Sequence, residues 1–283
     1  DELVELAADA EAIIPCHTEK LSAELIARLP KSVRAICSFS VGYDHIDLAA
    51  AKARGICVTN TPEVLSDATA EIAVLLMLGA ARRVYEGERQ IRTETWADWS
   101  ATYQLGLQVT GKRLGILGMG RVGQIMARRA RGFDMQIHYY NRHRLAPELE
   151  QGAVYHDSVE ALLPHCDFLS IHCPATPETH HLLNAQRIAL LPDEAVVVNT
   201  ARGAVVDDEA LIAALRTGKL FAAGLDVFNN EPSIDSRYKE LENAFLLPHV
   251  GSATRETRDA MGFRALDNLD AIVSGLEPRD RLA

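Results

Sequence analysis

The sequence predicts an α/β protein made of two doubly wound, Rossmann-like parallel sheets. Short apolar strands alternate with helical segments along the chain, and this alternation is typical of a parallel sheet covered by helices on both faces. At 283 residues the chain is long enough to form two domains with sizeable cores. Near its middle, a strand, a glycine-rich turn and a helix follow one another, as they do in dinucleotide-binding domains.

The order of the apolar runs predicts the individual elements. Early strands are expected at 12–15, 33–37 and 56–59, with a helix at 21–29 between the first two. A long helix is expected at 67–83, because acidic residues lie at its amino-terminal end, where they suit the helix dipole. The remaining predicted elements are strands at 113–117, 136–140, 167–171, 195–199, 222–225 and 245–247 and a helix at 207–216.

The composition indicates a soluble globular enzyme without a nucleic-acid partner. Hydrophobic residues make up 48% of the chain and charged residues 24%, which is ordinary for a globular domain. The net charge of −10 disfavours nucleic acid, and the apolar run at 72–81 is too short to span a membrane. Five cysteines without a CxxC pair favour buried thiols in the cytoplasm over a disulfide framework, and no metal site is expected.

The most informative motif is Gly-Met-Gly-Arg-Val-Gly at 118–123, directly after the predicted strand at 113–117. The first glycine permits a tight turn, the second allows backbone to approach phosphates, and the third lets the helix pack close to the strand. The helix also offers N–H groups and its positive dipole end to a pyrophosphate. An ordinary glycine turn is the alternative. The predicted cofactor contacts are Gly118, Gly120, Arg121, Val122 and Gly123.

The end of the following strand predicts which nicotinamide cofactor is used. NAD-binding domains place an acid there to hydrogen-bond the ribose 2′-hydroxyl. This chain instead has Asn141, followed by Arg142 and Arg144. A carboxylate would repel a 2′-phosphate, whereas guanidinium groups bind it through charge-assisted hydrogen bonds. We therefore predict NADP(H), with a solvated basic loop as the alternative.

Three later strands end in side chains suited to acid–base chemistry. Arg202 follows the strand at 195–199, Glu231 follows the strand at 222–225, and His249 follows the last strand. The carboxyl ends of parallel strands share one edge, where ligands of such sheets bind. Arg202 could bind a substrate carboxylate, His249 could transfer a proton, and Glu231 could orient His249 and favour its protonated form. A surface ion pair and a structural histidine are the alternatives.

Four further segments are specific in combination: Asn-Thr-Ala-Arg-Gly at 199–203, Gly-Leu-Asp-Val at 224–227, Asn-Glu-Pro at 230–232 and Leu-Pro-His at 247–249. With the glycine motif, they make the chain resemble the D-isomer-specific 2-hydroxyacid dehydrogenases over essentially its whole length. The resemblance implies a dinucleotide-binding domain inserted into a flavodoxin-like substrate-binding domain, with the active site between them. It also implies a homodimer. The implied ranges are 68–255 for the first domain, 1–67 with 256–283 for the second, and about 85–110 for a dimer arm.

The resemblance also implies roles for residues at matching positions. Arg202 corresponds to the substrate-binding arginine, His249 to the catalytic histidine and Glu231 to the acid paired with it. The backbone N–H groups of Val41 and Gly42 correspond to the donors that hold the substrate carboxylate. Cofactor contacts are further implied for Thr69, Pro174, Thr200, Asp226, His249 and Gly251.

Within the family the chain looks most similar to glyoxylate/hydroxypyruvate reductases that use NADPH. Trp99 corresponds to a tryptophan that reaches the partner subunit's active site, with simple burial in a dimer interface as the alternative. The usual first strand of the family has no counterpart in this chain. The implied reaction is reduction of a small 2-keto acid, glyoxylate to glycolate or hydroxypyruvate to D-glycerate.

Two other kinds of function compete with this one. A phosphoglycerate, D-lactate or formate dehydrogenase would share the fold, but Asn141 disfavours the NAD-linked members. Formate oxidation has no need of the Glu231–His249 proton pair. A nucleotide-sensing protein of the corepressor type could retain similar residues and would bind the cofactor without turnover.

Overall fold

The computed structural model describes residues 2–283. Its strands are β1 (Ala12–Ile13), β2 (Ala35–Cys37), β3 (Cys57–Thr59), β4 (Arg113–Leu117), β5 (Gln136–Tyr140), β6 (Val154–His156), β7 (Phe168–Ile171), β8 (Ala195–Asn199), β9 (Leu220–Leu225) and β10 (Ala244–Leu246). Its α-helices are α1 (Glu2–Leu6), α2 (Ala23–Arg28), α3 (Leu48–Ala53), α4 (Ser66–Ala81), α5 (Val84–Arg92), α6 (Arg121–Arg131), α7 (Pro147–Glu150), α8 (Val159–Leu162), α9 (Ala185–Leu190), α10 (Asp208–Thr217) and α11 (Arg255–Val273). Three short 3₁₀ helices lie at Leu163–His165, Gly203–Val205 and Ser236–Glu240.

The chain divides into two compact units, with changes of unit after Ser66 and after Gly251. The first unit, formed by both ends of the chain, contains a parallel sheet of three strands in the order β1-β2-β3. Apolar side chains from this sheet and its helices, such as Ile26, Ile36 and Val58, form one core. The side chains of Ser22 and Asp47 cap the amino termini of α2 and α3.

The second unit contains a parallel sheet of seven strands in the order β10-β9-β8-β7-β4-β5-β6. The chain leaves β4 in one direction to form β5 and β6 and then returns to the other side of β4 to form β7. Strand order therefore reverses between β4 and β7. Ligands of such sheets bind outside the carboxyl ends of the strands at this reversal. The glycine motif begins directly after β4 and thus lies at that point.

Helices cover both faces of this sheet and enclose two separate cores. One core joins alternate strand residues such as Ile171 and Val197 to α8, α9 and α10. The other joins residues such as Ile116 and Val198 to α4 and α6. A Cβ on Gly224 would lie 2.7 Å from the Leu76 carbonyl oxygen, so glycine lets β9 pack directly against α4. The predicted α/β fold with parallel sheets is confirmed, and the seven-stranded sheet is doubly wound.

The structure departs from the predicted elements in a few places. Strand β6 was not predicted, because it is a three-residue edge strand with no fully buried side chain. Helix α11 was not assigned either, since its buried stripe includes the polar residues Thr257 and Asn268 while Phe263 on the same helix is exposed. The cysteines are free thiols, but only Cys37 and Cys166 are buried; Cys57 and Cys173 are half-buried and Cys16 is exposed. No helix within residues 2–283 combines the length and apolar character that crossing a membrane requires.

Candidate active site

The glycine motif has the geometry of a phosphate-binding turn. Gly118 adopts a φ of +93°, and a Cβ there would lie 2.7 Å from the backbone nitrogen of Cys173, so only glycine fits this turn. A Cβ on Gly123 would overlap the Gly118 carbonyl, which keeps α6 close to β4. At Gly120, by contrast, a Cβ would meet no atom within 4 Å. The space above Gly120, beside the first N–H groups of α6, fits a pyrophosphate.

The turn after β5 places its polar residues beside the glycine motif. The Asn141 side-chain oxygen accepts a hydrogen bond of 2.6 Å from the Met119 N–H, which ties this turn to the glycine loop. Arg142 is exposed at the tip of the turn. Arg144, also exposed, forms an ion pair with the buried carboxylate of Glu150. The two arginines predicted to bind a 2′-phosphate therefore have different surroundings.

The carboxyl end of β7 carries a histidine that the sequence did not single out as functional. The His172 ring lies 2.8 Å from the Ser170 hydroxyl and 3.4 Å from the Thr200 hydroxyl. Thr200, a predicted cofactor contact, lies in the loop after β8. Desolvation by surrounding protein lowers the pKa of His172 to about 4, so the ring is neutral at physiological pH. Pro174, two residues further on, is exposed and its carbonyl accepts a hydrogen bond from Thr179.

The loop after β8 is shaped by Asn199 and Gly203. The Asn199 side chain accepts from the Ala201 N–H and donates to the Arg202 carbonyl, which folds the loop back on the strand end. A Cβ on Gly203 would overlap the backbone of Phe228. Glycine at this position therefore lets the loop after β8 pass directly against the loop after β9. This close approach brings Arg202 near the segment that carries the predicted carboxylate.

The loop after β10 is held by Asp226, at the end of β9. The Asp226 carbonyl accepts the His249 N–H at 2.8 Å, and its two carboxylate oxygens accept the N–H groups of Val250 at 2.8 Å and Gly251 at 2.7 Å. Burial raises the pKa of Asp226, although these hydrogen bonds oppose the shift. His249 adopts a φ of 53°, a left-handed conformation that is strained for histidine and that these bonds stabilise.

The His249 side chain pairs with Glu231. Its Nδ1 lies 2.6 Å from Glu231 Oε2, while Glu231 Oε1 accepts the Phe228 N–H at 2.7 Å. Burial raises the pKa of Glu231, but these hydrogen bonds and the charges of His249 and Arg202 outweigh it and hold the pKa below its usual value. The carboxylate thus engages the Nδ1 side of the ring and fixes its orientation. About 30% of each side chain is exposed.

Several predicted residues thus lie together at the carboxyl edge of the seven-stranded sheet. Thr69, at the start of α4, belongs to this group, since a Cβ on Gly251 would lie 3.5 Å from its methyl group. The arrangement can bind an anion beside Arg202 and can donate a proton from His249. The residues that sequence reasoning missed are Asn199 and His172, which shape and orient the site. Polar residues at the end of buried strands are the signal that could have identified both.

In the first unit, Val41 and Gly42 follow β2. The Val41 carbonyl accepts a hydrogen bond from Asn60 at 2.9 Å, and the Gly42 carbonyl accepts one from Ser40 at 2.6 Å. Within residues 2–283, neither the Val41 nor the Gly42 N–H donates a hydrogen bond. Two adjacent donors without acceptors are suited to an anion such as a carboxylate.

Helix α5 and the segment that follows it expose large apolar side chains. Trp99 is 90% exposed, and the Trp96 indole N–H donates to the Asp98 carbonyl in the same turn. Other exposed apolar residues here are Val84, Tyr85, Ile91 and Leu105. Exposed apolar clusters of this kind commonly mark protein–protein contacts.

Comparison with known proteins agrees with this geometry. Residues 74–251 match the family model described as D-isomer specific 2-hydroxyacid dehydrogenase, NAD binding domain. Glycerate dehydrogenase of Hyphomicrobium methylovorum is 46% identical, over 100% of this chain and 88% of that protein. Glyoxylate reductase of Thermococcus litoralis is 44% identical, over 98% of this chain and 84% of that protein. An NADPH-dependent glyoxylate/hydroxypyruvate reductase of Sinorhizobium meliloti, solved with NADP and malonate, superposes with a TM-score of 0.88 at 35% identity, covering 98% of this chain and 85% of that one.

Proposed function

This chain belongs to the D-isomer-specific 2-hydroxyacid dehydrogenase family, and we propose that it reduces small 2-keto acids with NADPH. Family membership makes it an oxidoreductase that acts on the CH–OH group of 2-hydroxy acids or on the corresponding keto group. The proposed substrates are glyoxylate and hydroxypyruvate, the products being glycolate and D-glycerate. Relatives named glyoxylate reductase and glycerate dehydrogenase support this substrate class.

The observation that carries the proposal is the Glu231–His249 pair. A keto group that becomes an alcohol takes up a hydride and a proton, and a positioned imidazolium can supply the proton. The 2.6 Å contact between His249 Nδ1 and Glu231 Oε2 fixes the ring and stabilises its protonated form. Nε2 is then the atom that delivers a proton to the keto oxygen. A sensor protein that only binds nucleotide would have no need of this pair.

The other residues of the chain bind and orient the substrate. Arg202 is proposed to hold the substrate carboxylate, as its charge complements that group. The N–H groups of Val41 and Gly42 are likewise proposed to donate to a substrate carboxylate. Bound NADPH would supply the hydride to the keto carbon, while the protein positions the substrate and delivers the proton. Fixed orientation of this kind lowers the entropic part of the barrier.

The preference for NADPH over NADH is proposed from the turn after β5. Asn141 carries no negative charge, and Arg142 presents an exposed guanidinium beside it, an arrangement suited to a 2′-phosphate. The glycine motif, Thr200 and Asp226 are proposed to contact the rest of the cofactor. The Sinorhizobium neighbour, whose name includes NADPH dependence, supports the same preference.

A steady-state panel tests the proposed function. NADPH oxidation is followed with glyoxylate, hydroxypyruvate and pyruvate, and each keto acid is then assayed with NADH. We expect turnover of glyoxylate and hydroxypyruvate, and a kcat/KM ratio of NADPH to NADH above one. Nucleotide binding without turnover would favour the sensor alternative, and a preference for NADH would contradict the proposed cofactor.

Glu231→Gln is expected to reduce kcat and to move the upper pH limit of reduction downward. The amide keeps the shape of the side chain but removes the counter-charge that lies 2.6 Å from the ring of the proton donor. Hydrogen bonds to charged groups contribute about 1.5–3 kcal/mol, which corresponds to a roughly 10–100-fold loss of kcat. The pH profile of kcat measures this, with the surface variant Glu240→Gln as control. An unchanged profile would mean that Glu231 does not act through His249.

The protein is also proposed to be a homodimer whose contact includes the exposed apolar segment around Trp99. Trp99 is proposed to reach the partner's active site.

Trp99→Ala is then expected to change the kcat/KM ratio of glyoxylate to hydroxypyruvate by about 10-fold, the scale of one lost apolar contact in a pocket. The KM for NADPH should stay nearly constant. Ile91→Ala, which removes another exposed apolar side chain of this segment, is the control, and an unchanged substrate ratio in Trp99→Ala would remove Trp99 from the site.

A further inference from the structure

A buried carboxylate lies behind the turn after β5. Glu150, the last residue of α7, has a side chain that is only 8% exposed. Its Oε1 accepts hydrogen bonds from Arg144 Nε at 2.7 Å and from the Tyr139 hydroxyl at 2.6 Å, and its Oε2 accepts from Arg144 Nη2 at 3.1 Å. The bonds from Arg144 and Tyr139 lower the pKa of Glu150 to about 2, so the carboxylate is ionised at physiological pH.

Tyr139 connects this carboxylate to the backbone of the turn. Its ring is fully buried in β5, and its hydroxyl accepts the Leu145 N–H at 3.0 Å while donating to Glu150. Burial and the bond to Glu150 raise the pKa of Tyr139 to about 12, so the hydroxyl keeps the proton that it donates.

Residues 141–145, here called the β5 turn, are therefore fixed at both ends. Asn141 is tied to the Met119 N–H at one end, and the Leu145 N–H is tied to Tyr139 at the other. Between these points, the Arg144 guanidinium carbon lies 5.7 Å from the centre of the Tyr155 ring, in cation–π geometry. Arg144 thus has two partners within the protein, Glu150 and Tyr155, although 63% of its side chain is exposed.

Arg142 differs from Arg144 in this respect. Within residues 2–283, its guanidinium makes no hydrogen bond or ion pair, and its side chain is exposed. An arginine that donates two hydrogen bonds to a buried carboxylate cannot turn the same N–H groups toward a phosphate without leaving that carboxylate unpaired. Arg142 has no such bond to break: its charge helps to lower the pKa of the Glu178 carboxyl, but the two groups form no ion pair. The two basic residues of the β5 turn are therefore not equivalent.

We propose that Glu150 and Tyr139 are positioning residues for cofactor selection, which hold Arg144 as a support of the β5 turn so that Arg142 binds the 2′-phosphate. The inference deepens the proposed use of NADPH and rests on it. It assigns to Arg144 a supporting role in place of the direct phosphate contact expected from sequence. Unpaired, the Glu150 carboxylate would repel the phosphate. Its ion pair with Arg144 neutralises this charge.

Binding measurements on the whole protein test this inference without relying on turnover. Calorimetry gives the Kd values of adenosine 2′,5′-bisphosphate and of 5′-AMP, two fragments that differ only in the 2′-phosphate. Their ratio reports selection for the phosphate, whereas a purely structural defect would weaken both fragments alike. Arg142→Gln should lower the ratio by about 10–100-fold, the scale of charge-assisted hydrogen bonds.

The supporting network makes a distinct prediction for its own variants. Glu150→Gln should lower the ratio by a smaller factor, because Arg144 then no longer supports the β5 turn. Arg144→Gln should lower it further, because it also leaves the Glu150 carboxylate unpaired, and the double variant should match Glu150→Gln. Tyr139→Phe, which keeps the ring in the core but removes the hydroxyl, should also lower the ratio. If Arg144 bound the phosphate directly, Glu150→Gln would release it and remove a negative charge, so the ratio would rise. A raised or unchanged ratio in Glu150→Gln overturns the inference.

Failure of the inference is distinguishable from failure of the proposed cofactor. Wild-type protein that binds both fragments equally would contradict NADPH use and the inference together. Wild-type protein that selects the 2′-phosphate while Glu150→Gln selects it equally well or better would contradict the inference alone.

Discussion

Replacing His249 with glutamine is expected to lower kcat for keto-acid reduction by about 10²–10⁴-fold, the usual contribution of a general acid. Glutamine can accept the geometry of the loop but has no ionisable proton. Its amide can still bond to Glu231, so the carboxylate is not left unpaired. The Kd of NADPH should change little, because the backbone of the loop is held by Asp226 rather than by the imidazole.

The control for this experiment is a histidine remote from the site. His165 is exposed and precedes β7, so it lies at the amino end of a strand rather than at the carboxyl edge. His165→Gln should keep the wild-type kcat. Near-wild-type turnover by His249→Gln would show that another group donates the proton.

Gly203→Ala is expected to be the most damaging single-methyl change in the site. The added Cβ would overlap the Phe228 backbone, and backbone atoms cannot yield as a flexible side chain can. Overpacking costs up to about 3 kcal/mol of unfolding free energy, and occasionally more. The loops that carry Arg202 and Glu231 would be pushed apart, and a displacement of about 1 Å can reduce turnover by roughly 10²-fold.

Thermal unfolding and steady-state kinetics measure the two effects of Gly203→Ala separately. Gly262→Ala, within helix α11, is the matched control, since its Cβ would lie 3.7 Å from the Phe39 ring, the nearest group outside the helix. Alanine is about 0.5–1 kcal/mol better than glycine inside a helix, so this control should be neutral or stabilising. Wild-type stability and activity in Gly203→Ala would mean that the two loops are not held in contact.

The fold was predictable from sequence where burial and periodicity coincide. Strands such as β4, β5 and β8 are short runs of apolar residues in the interior of the sheet, and their observed bounds equal the predicted ones. Edge strand β6 has no such run. Helix α11 was not recognisable from an apolar stripe, because the protein buries Asn268 by hydrogen bonds to Asn60 and Asp280. Such tertiary contacts are invisible to local patterns.

The site was predictable to the level of residues but not of contacts. The strand-end rule led to Arg202, Glu231 and His249, since parallel strands bring their ends to one edge. No local pattern indicated that Glu150 would pair with Arg144, because that contact forms only when the last residue of α7 lies next to Tyr139 of β5. The roles of these residues in catalysis and cofactor binding remain predictions.

The most direct test of the central claim is a crystal structure with NADPH and oxamate, an unreactive analogue of a 2-keto acid. The claim is that His249 Nε2 delivers the proton to the keto oxygen. It predicts a distance of about 2.6–3.2 Å between Nε2 and the amide oxygen of oxamate, which stands for the keto oxygen. A His249 ring outside hydrogen-bond reach of that atom, with a different protonatable group in its place, would contradict the claim.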